Sequence, residues 1–253
     1  LWLGIACHII GHDSLFMHSW NDRERTMDLL EAITGNRVNY AMNTIGGARR
    51  DIPDHLRKEI IDTLDDLEVK MQPMTHFLTT DKTVAMRTQG VGVLTREDAI
   101  RIGAVGPHAR ASGVDIDVRR DAPYTSYEDF DFNIPVVDSG DVFARVLVRV
   151  LETYESMKIV RQAVDMLPEG PINLGNKIPK VPAGEFVGCH EAPRGQLVYK
   201  VVTNGGPTNH RLSIHVPTFT NAPTVETMLK GNTVADAGLI VASIDPCFSC
   251  MDC

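Results

Sequence analysis

The sequence predicts a mainly helical α+β fold: a helical core with one small antiparallel sheet element near the C-terminus. Two observations carry this. Apolar residues recur at helical spacing through most of the first 167 positions, as in Leu56, Ile60, Leu64, Leu67 and Met71. Beyond residue 180 the pattern changes to two short runs, 197–202 and 212–216, bounded by Asn204-Gly205-Gly206-Pro207 and by Pro217.

The elements follow in order. Residues 1–20 read as helical and mostly buried. Leu1-Trp2-Leu3-Gly4-Ile5 opens inside that apolar pattern with neither a cap nor an initiator Met, so the chain reads as a fragment that lacks its true N-terminus. Asn21, with Glu24 three residues on, can cap a second helix running to Ile33 and stopped by Gly35. Residues 43–51 form a glycine-bearing turn followed by charge. Pro53 suits the first turn of a third helix, and residues 73–87 suit a fourth. Residues 95–102 make a short capped helix before Gly103. Residues 104–138 read as irregular, with Gly106, Pro107, Gly113, Pro123 and Pro135. A loop of that length inside a compact domain is usually functional. The longest helix is expected at 139–167, with Val142, Val146, Val150, Tyr154, Met157, Val160 and Val164 on its buried face and Pro168-Glu169-Gly170 as its end. After the two strands, helices resume at 224–229 and 234–242. The whole of 1–253 reads as one domain.

Bulk composition narrows the function. The chain has 253 residues, 43% hydrophobic and 23% charged, with a formal net charge of −8. That balance argues against a nucleic-acid partner, because phosphate contacts require clustered Lys and Arg. No stretch reaches the roughly 18 apolar residues of a membrane span, and no signal peptide is legible. The five cysteines, Cys7, Cys189, Cys247, Cys250 and Cys253, are odd in number and crowded at one end. They make a poor disulfide framework and favour a reducing cytoplasm.

The last nine residues, Asp245-Pro246-Cys247-Phe248-Ser249-Cys250-Met251-Asp252-Cys253, carry the clearest chemical signal. Two thiols three positions apart can converge on one metal, and soft thiolates select zinc, copper, nickel or iron. A chance pair or half of a structural zinc site is the plainer reading. Two thiolates do not close a site. Cys253 is a third ligand, a spare thiol or an oddity of where the sequence ends. Cys7 and Cys189 stand alone, as small buried hydrophobes do. Arg194, between Pro193 and Gly195, can aim its guanidinium fork at an anion, or it is a surface arginine at a turn. Hairpin geometry can bring Thr218 near Arg194. The segments 106–113 and 119–121 are either the polar lining of a cavity or a solvated loop that pairs its own charges. Gly46-Gly47 lacks the ending and the preceding strand of a phosphate loop, and the nine histidines show no zinc-like spacing.

Together, residues 1–4, 22–25, 46–51, 106–113, 191–195 and 245–250 resemble, in order along the chain, the catalytic large subunit of nickel–iron hydrogenases. The resemblance is to the membrane-bound, energy-converting (group 4, Ech-like) branch, which is related to the 49-kDa quinone-site subunit of respiratory complex I. It implies the helical-bundle fold of that large subunit and reversible hydrogen oxidation and proton reduction. Cys247 and Cys250 then become two of four nickel thiolates, with Cys250 bridging to an iron that carries cyanide and carbon monoxide. Pro193, Arg194, Pro217 and Thr218 would contact those diatomics, Arg194 would also support hydrogen splitting, and Asp245 would orient the cysteines and the arginine. The implied partners are an iron–sulfur small subunit and membrane ion-translocating subunits, with this chain peripheral on the cytoplasmic face. Two departures stand out. The family's other CxxC is absent, so the fragment is not expected to be active alone. Cys253 also stands where the family usually has His or Arg. A quinone- or sulfur-reducing subunit of complex I type on the same fold is the alternative.

Overall fold

The computed structural model describes residues 1–175 and 181–252; Cys253 lies outside them. Helix α1 (Trp2–Ile9) packs on α2 (Asp13–Thr34). Gly4 permits this approach, because a Cβ there would strike the Ser19 side chain. Only part of 1–20 is buried: Trp2, Ala6 and Cys7 face the core. The expected cap at Asn21 is not used. Helix α2 runs unbroken past it, with Asn21 exposed, and stops at Gly35 in the left-handed conformation, φ 80°.

Strands β1 (Asn43–Thr44) and β2 (Gly47–Ala48) form a two-stranded ribbon around the Ile45-Gly46 turn. Helix α3 (Asp54–Thr80) starts directly after Pro53 and continues through Pro73. The chain then breaks at Asp81, whose carboxylate caps α4 (Lys82–Thr88) by accepting from the Thr83 and Val84 amides at 2.8 and 3.0 Å. The helix expected over 73–87 is therefore the end of one helix and the start of another. The boundary is set by an aspartate cap and not by the proline. Helix α5 (Arg96–Ile102) is capped by Thr95 and ended by Gly103, as the sequence indicates.

The 104–138 stretch is not wholly irregular. It contains α6 (Gly106–Arg110), α7 (Val118–Asp121) and a 3₁₀ turn at Tyr127–Asp129. Helix α8 (Val142–Asp165), capped by Asp141, has 24 residues, three fewer than α3. Its first half is buried all round, with Val142, Ala144, Arg145, Val146, Val148 and Val150 all inside.

The sheet has three strands where sequence showed two. Strands β3 (Ala183–Ala192), β4 (Gly195–Asn204) and β5 (Asn209–His215) run antiparallel in that order. Strand β3 is hard to read because Gly184 and Gly188 interrupt its alternation. The chain closes with α9 (Pro217–Asn221), α10 (Thr224–Leu229), a 3₁₀ turn at Val234–Asp236, α11 (Ala237–Ser243) and α12 (Phe248–Met251). Four apolar clusters of described residues hold these together: Leu94, Val114, Met228 and Ile240; Trp2, Leu78, Val146 and Val150; Leu29, Ile60, Leu64 and Met157; and Ala111, Ala144 and Val148. Among the described residues no helix is long and apolar enough to cross a membrane.

Candidate functional site

Strand pairing puts Ala192 opposite Gly195, so Pro193 and Arg194 are the two residues of the β3–β4 turn. That turn lies against the start of α6. A Cβ on Gly106 would sit 2.5 Å from the Arg194 carbonyl, and one on Gly195 would sit 2.8 Å from the Gly106 nitrogen. Both glycines have positive φ, 68° and 130°. Two facing glycines therefore let the backbones meet, and they fix where Arg194 points. Gly106→Ala is expected to destabilise the fold by about 2–4 kcal/mol, combining left-handed strain with a backbone clash. Thermal unfolding of the variant measures this, and an unchanged midpoint would contradict it.

Arg194 reaches across to the segment after α11. Its Nε donates to the Asp245 carbonyl at 2.7 Å and its Nη2 to the Asp245 carboxylate at 3.1 Å. Asp245 holds positive φ, 56°, an uncommon state for a non-glycine residue and one that the arginine grip supports. Two residues on, the Cys247 amide donates to the Thr218 hydroxyl at 3.3 Å. Thr218 follows Pro217 in the first turn of α9 and is 1% exposed. Cys250 sits on α12, with its amide bonded to the Cys247 carbonyl at 3.0 Å. Thr218 and Arg194 thus meet the same 245–247 segment. All seven residues singled out from the sequence, Pro193, Arg194, Pro217, Thr218, Asp245, Cys247 and Cys250, lie in this corner.

The two thiols differ. A hydrogen bond with Ser249, at 2.9 Å, and then the Cys250 amide and thiol and the Arg194 charge, pull the Cys247 thiol down to about 7. Partial burial and the neighbouring Cys247 push the Cys250 thiol up. Cys7, buried in the apolar core, is pushed up to about 11. In the metal-free protein, alkylation by iodoacetamide is expected to modify Cys247 first. Its rate should be half-maximal near pH 7, while Cys7 stays intact. Peptide mapping after alkylation across pH 6–9 checks this; equal labelling of Cys7 and Cys247 would contradict it.

Two soft sulfurs, one of them ionised near neutral pH and close to a guanidinium, fit a thiophilic metal and not magnesium or calcium. Among the described residues no third Cys, His, Asp or Glu clusters with them.

Beside this corner lies a cleft of about 380 Å³, lined by Asp245, Pro193, Glu191, Glu152, Arg110 and Arg149, among others. One wall is a buried ion network. Arg110, 1% exposed, donates to Glu152 at 2.7 Å and to Glu191 at 3.0 Å, and lies 3.1 Å from Asp117. Arg119 pairs with Asp117 at 2.6 Å, whereas Arg120 pairs with Asp115 and Asp121. Both readings of the 106–121 segment therefore hold, each for different residues. Arg149 stacks over the Trp2 ring at 4.1 Å and donates to the Arg145 carbonyl. Arg145, fully buried, donates through its two terminal nitrogens to Ser243 and to the Gly92 and Gly140 carbonyls, while its Nε has no partner among the described residues. Burial, then the nearby Arg149, lowers its pKa. Sequence reading missed Arg145, Arg149 and Glu152. Their signal was charge at helical spacing alongside the apolar stripe of α8.

The mainly helical chain, its small sheet and this corner belong to a defined class. The chain is a member of the family of the 49 kDa subunit of respiratory-chain NADH dehydrogenase, whose model matches residues 10–180 and 174–253. It is 41% identical over 251 residues to the carbon monoxide-induced hydrogenase of Rhodospirillum rubrum, covering 99% of this chain and 69% of that protein. It is 38% identical to the alpha subunit of the membrane-bound hydrogenase of Pyrococcus furiosus, covering 99% of this chain and 62% of the relative. With an NADH-quinone oxidoreductase subunit of Syntrophobacter fumaroxidans it shares 37% identity, covering 97% and 66%. Among solved structures, the membrane-bound sulfane sulfur reductase, an archaeal respiratory membrane complex, superposes on the whole chain with a TM-score of 0.93 at 35% identity and over 70% of its own chain. This chain thus spans roughly two thirds of the length of these relatives, which are oxidoreductases of hydrogenase and NADH-quinone oxidoreductase type.

Proposed function

We propose that these 253 residues form one domain of the catalytic large subunit of a membrane-associated nickel–iron hydrogenase. The carrying observation is the corner itself: Cys247 and Cys250 on and before α12, with Arg194 locked onto Asp245 at the base of that helix. Cys247 and Cys250 would hold the nickel–iron centre through their thiolates. Bound there, with cyanide and carbon monoxide on the iron, the centre supplies two-electron chemistry for splitting hydrogen or reducing protons. The chain's own residues do the rest. Thr218 fixes the Cys247 backbone, and Pro217 and Pro193 would offer apolar, donor-free surface to the diatomics. Arg194 supplies a positive charge that favours the ionised thiols and stands as a proton or charge partner for hydrogen splitting. Asp245 keeps the arginine aimed.

Two thiolates do not complete a four-ligand site, so the further ligands of such a centre would come from outside the described residues. Electrons leave to iron–sulfur clusters of a small-subunit partner, and membrane ion-translocating subunits anchor the assembly on the cytoplasmic face. The net charge of −8 disfavours nucleic acid as a partner. The R. rubrum and P. furiosus hydrogenases support this reading. A quinone- or sulfur-reducing subunit is the second reading, favoured by the similarity to the S. fumaroxidans NADH-quinone oxidoreductase and to the sulfane sulfur reductase. Hydrogen–deuterium exchange by the assembled complex separates them. Exchange that stops on loss of nickel fits the first, while quinone or sulfane-sulfur reduction without exchange fits the second.

A further inference from the structure

One carboxylate in the cleft has no part in the function above. Glu191 is 5% exposed and stands three residues ahead of Arg194, on the last turn-proximal stretch of β3. Its Oε1 accepts from Arg110 at 3.0 Å and its Oε2 from the Val118 amide at 3.3 Å, while its own amide donates to the Tyr124 hydroxyl at 3.1 Å. Arg110, Asp117 and Arg119 face it from the 106–121 segment, Arg149 and Glu152 from α8, and Asp245 lies across the cleft.

The charges in this network are not equally compensated. Asp117, fully buried, is paired by both Arg110 and Arg119 and stays ionised. Although burial raises its pKa, those arginines outweigh burial and hold it below the usual carboxylate range. Glu191 must share Arg110 with two other carboxylates. Burial is the larger effect for it and raises its pKa, offset in part by Arg110. Glu191, which shares one arginine with two other carboxylates, is therefore less fully compensated than Asp117 and takes up a proton more readily than it does. The same cleft is lined by Asp245, the partner of Arg194, by Glu191 and by Glu152, whose side chain is 16% exposed, beside Thr153 and Ser156. At about 380 Å³ it has room for a file of water molecules, each needing about 30 Å³.

We propose that Glu191 is a proton-relay carboxylate, passing protons between the Arg194–Asp245 corner and Glu152 at the mouth of the cleft. The inference rests on the hydrogenase reading. Each hydrogen molecule consumed yields two protons and two electrons. The electrons go to the partner's iron–sulfur clusters. The protons pass one at a time: a cleft water that has accepted a proton released in the Arg194–Asp245 corner gives it to the Glu191 carboxylate and reverts to neutral water, and the new Glu191 O–H bond breaks as the proton moves to the Glu152 carboxylate or to water at the mouth. No electron moves in this step.

The test uses the complete protein in its complex, with Glu191→Gln, Glu191→Asp and Glu152→Gln. Gln keeps an oxygen to accept from Arg110 but cannot carry the proton. Wild type and variants are expected to share the same nickel content and the same cyanide and carbon monoxide infrared bands. In E191Q, kcat is expected to fall by at least about tenfold, with a larger solvent isotope effect and a displaced pH profile. E191D should recover part of the loss, and E152Q should lose less. Independently of turnover, the pH-difference infrared spectrum should contain a carboxylic C=O band that disappears in E191Q. Intact metal bands with unchanged kcat and isotope effect, or a carboxylic band that persists in E191Q, would overturn the relay. Wild type lacking the metal bands would overturn the hydrogenase reading instead.

Discussion

Replacing Cys250 by serine in the complete protein is expected to abolish hydrogen turnover and to strip nickel from the complex. A thiolate is a soft, ionised donor, whereas a serine hydroxyl is hard and stays protonated at neutral pH. Four-ligand thiolate sites for a divalent metal are worth about 10–16 kcal/mol, so losing one donor costs about 3 kcal/mol, roughly a hundredfold in affinity. The fold should survive the change. Cys250 lies on a four-residue helix at the edge of the structure, and no apolar core cluster depends on it. Metal analysis of purified C250S gives the readout. Full nickel occupancy with normal activity would remove this cysteine from the site. Cys7→Ser is the matched control, because Cys7 sits in the core beside Trp2 and Leu78, away from the corner; nickel should be retained there.

Replacing Arg110 by methionine is expected to produce the largest loss of stability of any change discussed, about 3–5 kcal/mol at neutral pH. The guanidinium is enclosed by Asp117, Glu152, Glu191 and the Ile116 carbonyl. Methionine fills much of the volume but leaves buried carboxylates short of a counter-charge. The pH dependence has a defined sign. Glu191 already has its folded pKa raised by burial. Removing Arg110 raises it further, so the folded state favours the protonated acid and is penalised at pH values above that pKa. The deficit between R110M and wild type should therefore shrink as pH falls from 7 towards 4.5. Asp117 works in the opposite sense: its depressed pKa contributes stability that is lost only at lower pH, as pH falls through the folded value. Denaturant midpoints at several pH values measure the balance. A deficit that grows on acidification would contradict the charge assignment.

Much of the site is legible in the sequence because its parts are short and local. Pro193-Arg194-Gly195 is a turn by composition, and DPCxxC is a metal-type spacing in one short run. What pattern could not supply is the joining of these pieces. The Gly106–Gly195 contact brings together residues 89 positions apart, and nothing in either segment announces the other. The fold shows the same division. Thr95 and Gly103 bracket a helix by local capping chemistry, and both ends are readable. Asn21 is an equally good cap by type, yet tertiary packing of α2 on α1 and α3 carries the helix past it. Asp81, which does cap, is masked by the more conspicuous Pro73. Strand β3 is hidden by its two glycines, and it exists because β4 supplies its partner along ten paired positions. The buried arginines of α8 are invisible for a related reason. A charged residue inside a helix reads as solvent-facing until the fold shows carbonyls from residues 92 and 140 turned towards it.

The proposed nickel–iron centre at Cys247 and Cys250 is framed by Arg194, Asp245 and Thr218. Its most direct test is metal analysis of the complete protein purified with its partners, together with the infrared spectrum of iron-bound cyanide and carbon monoxide. Nickel and iron with those bands, lost together in C250S, is the result expected. Iron–sulfur clusters without nickel and without the bands would contradict the claim, and would move the chain to the quinone- or sulfur-reducing side of its family.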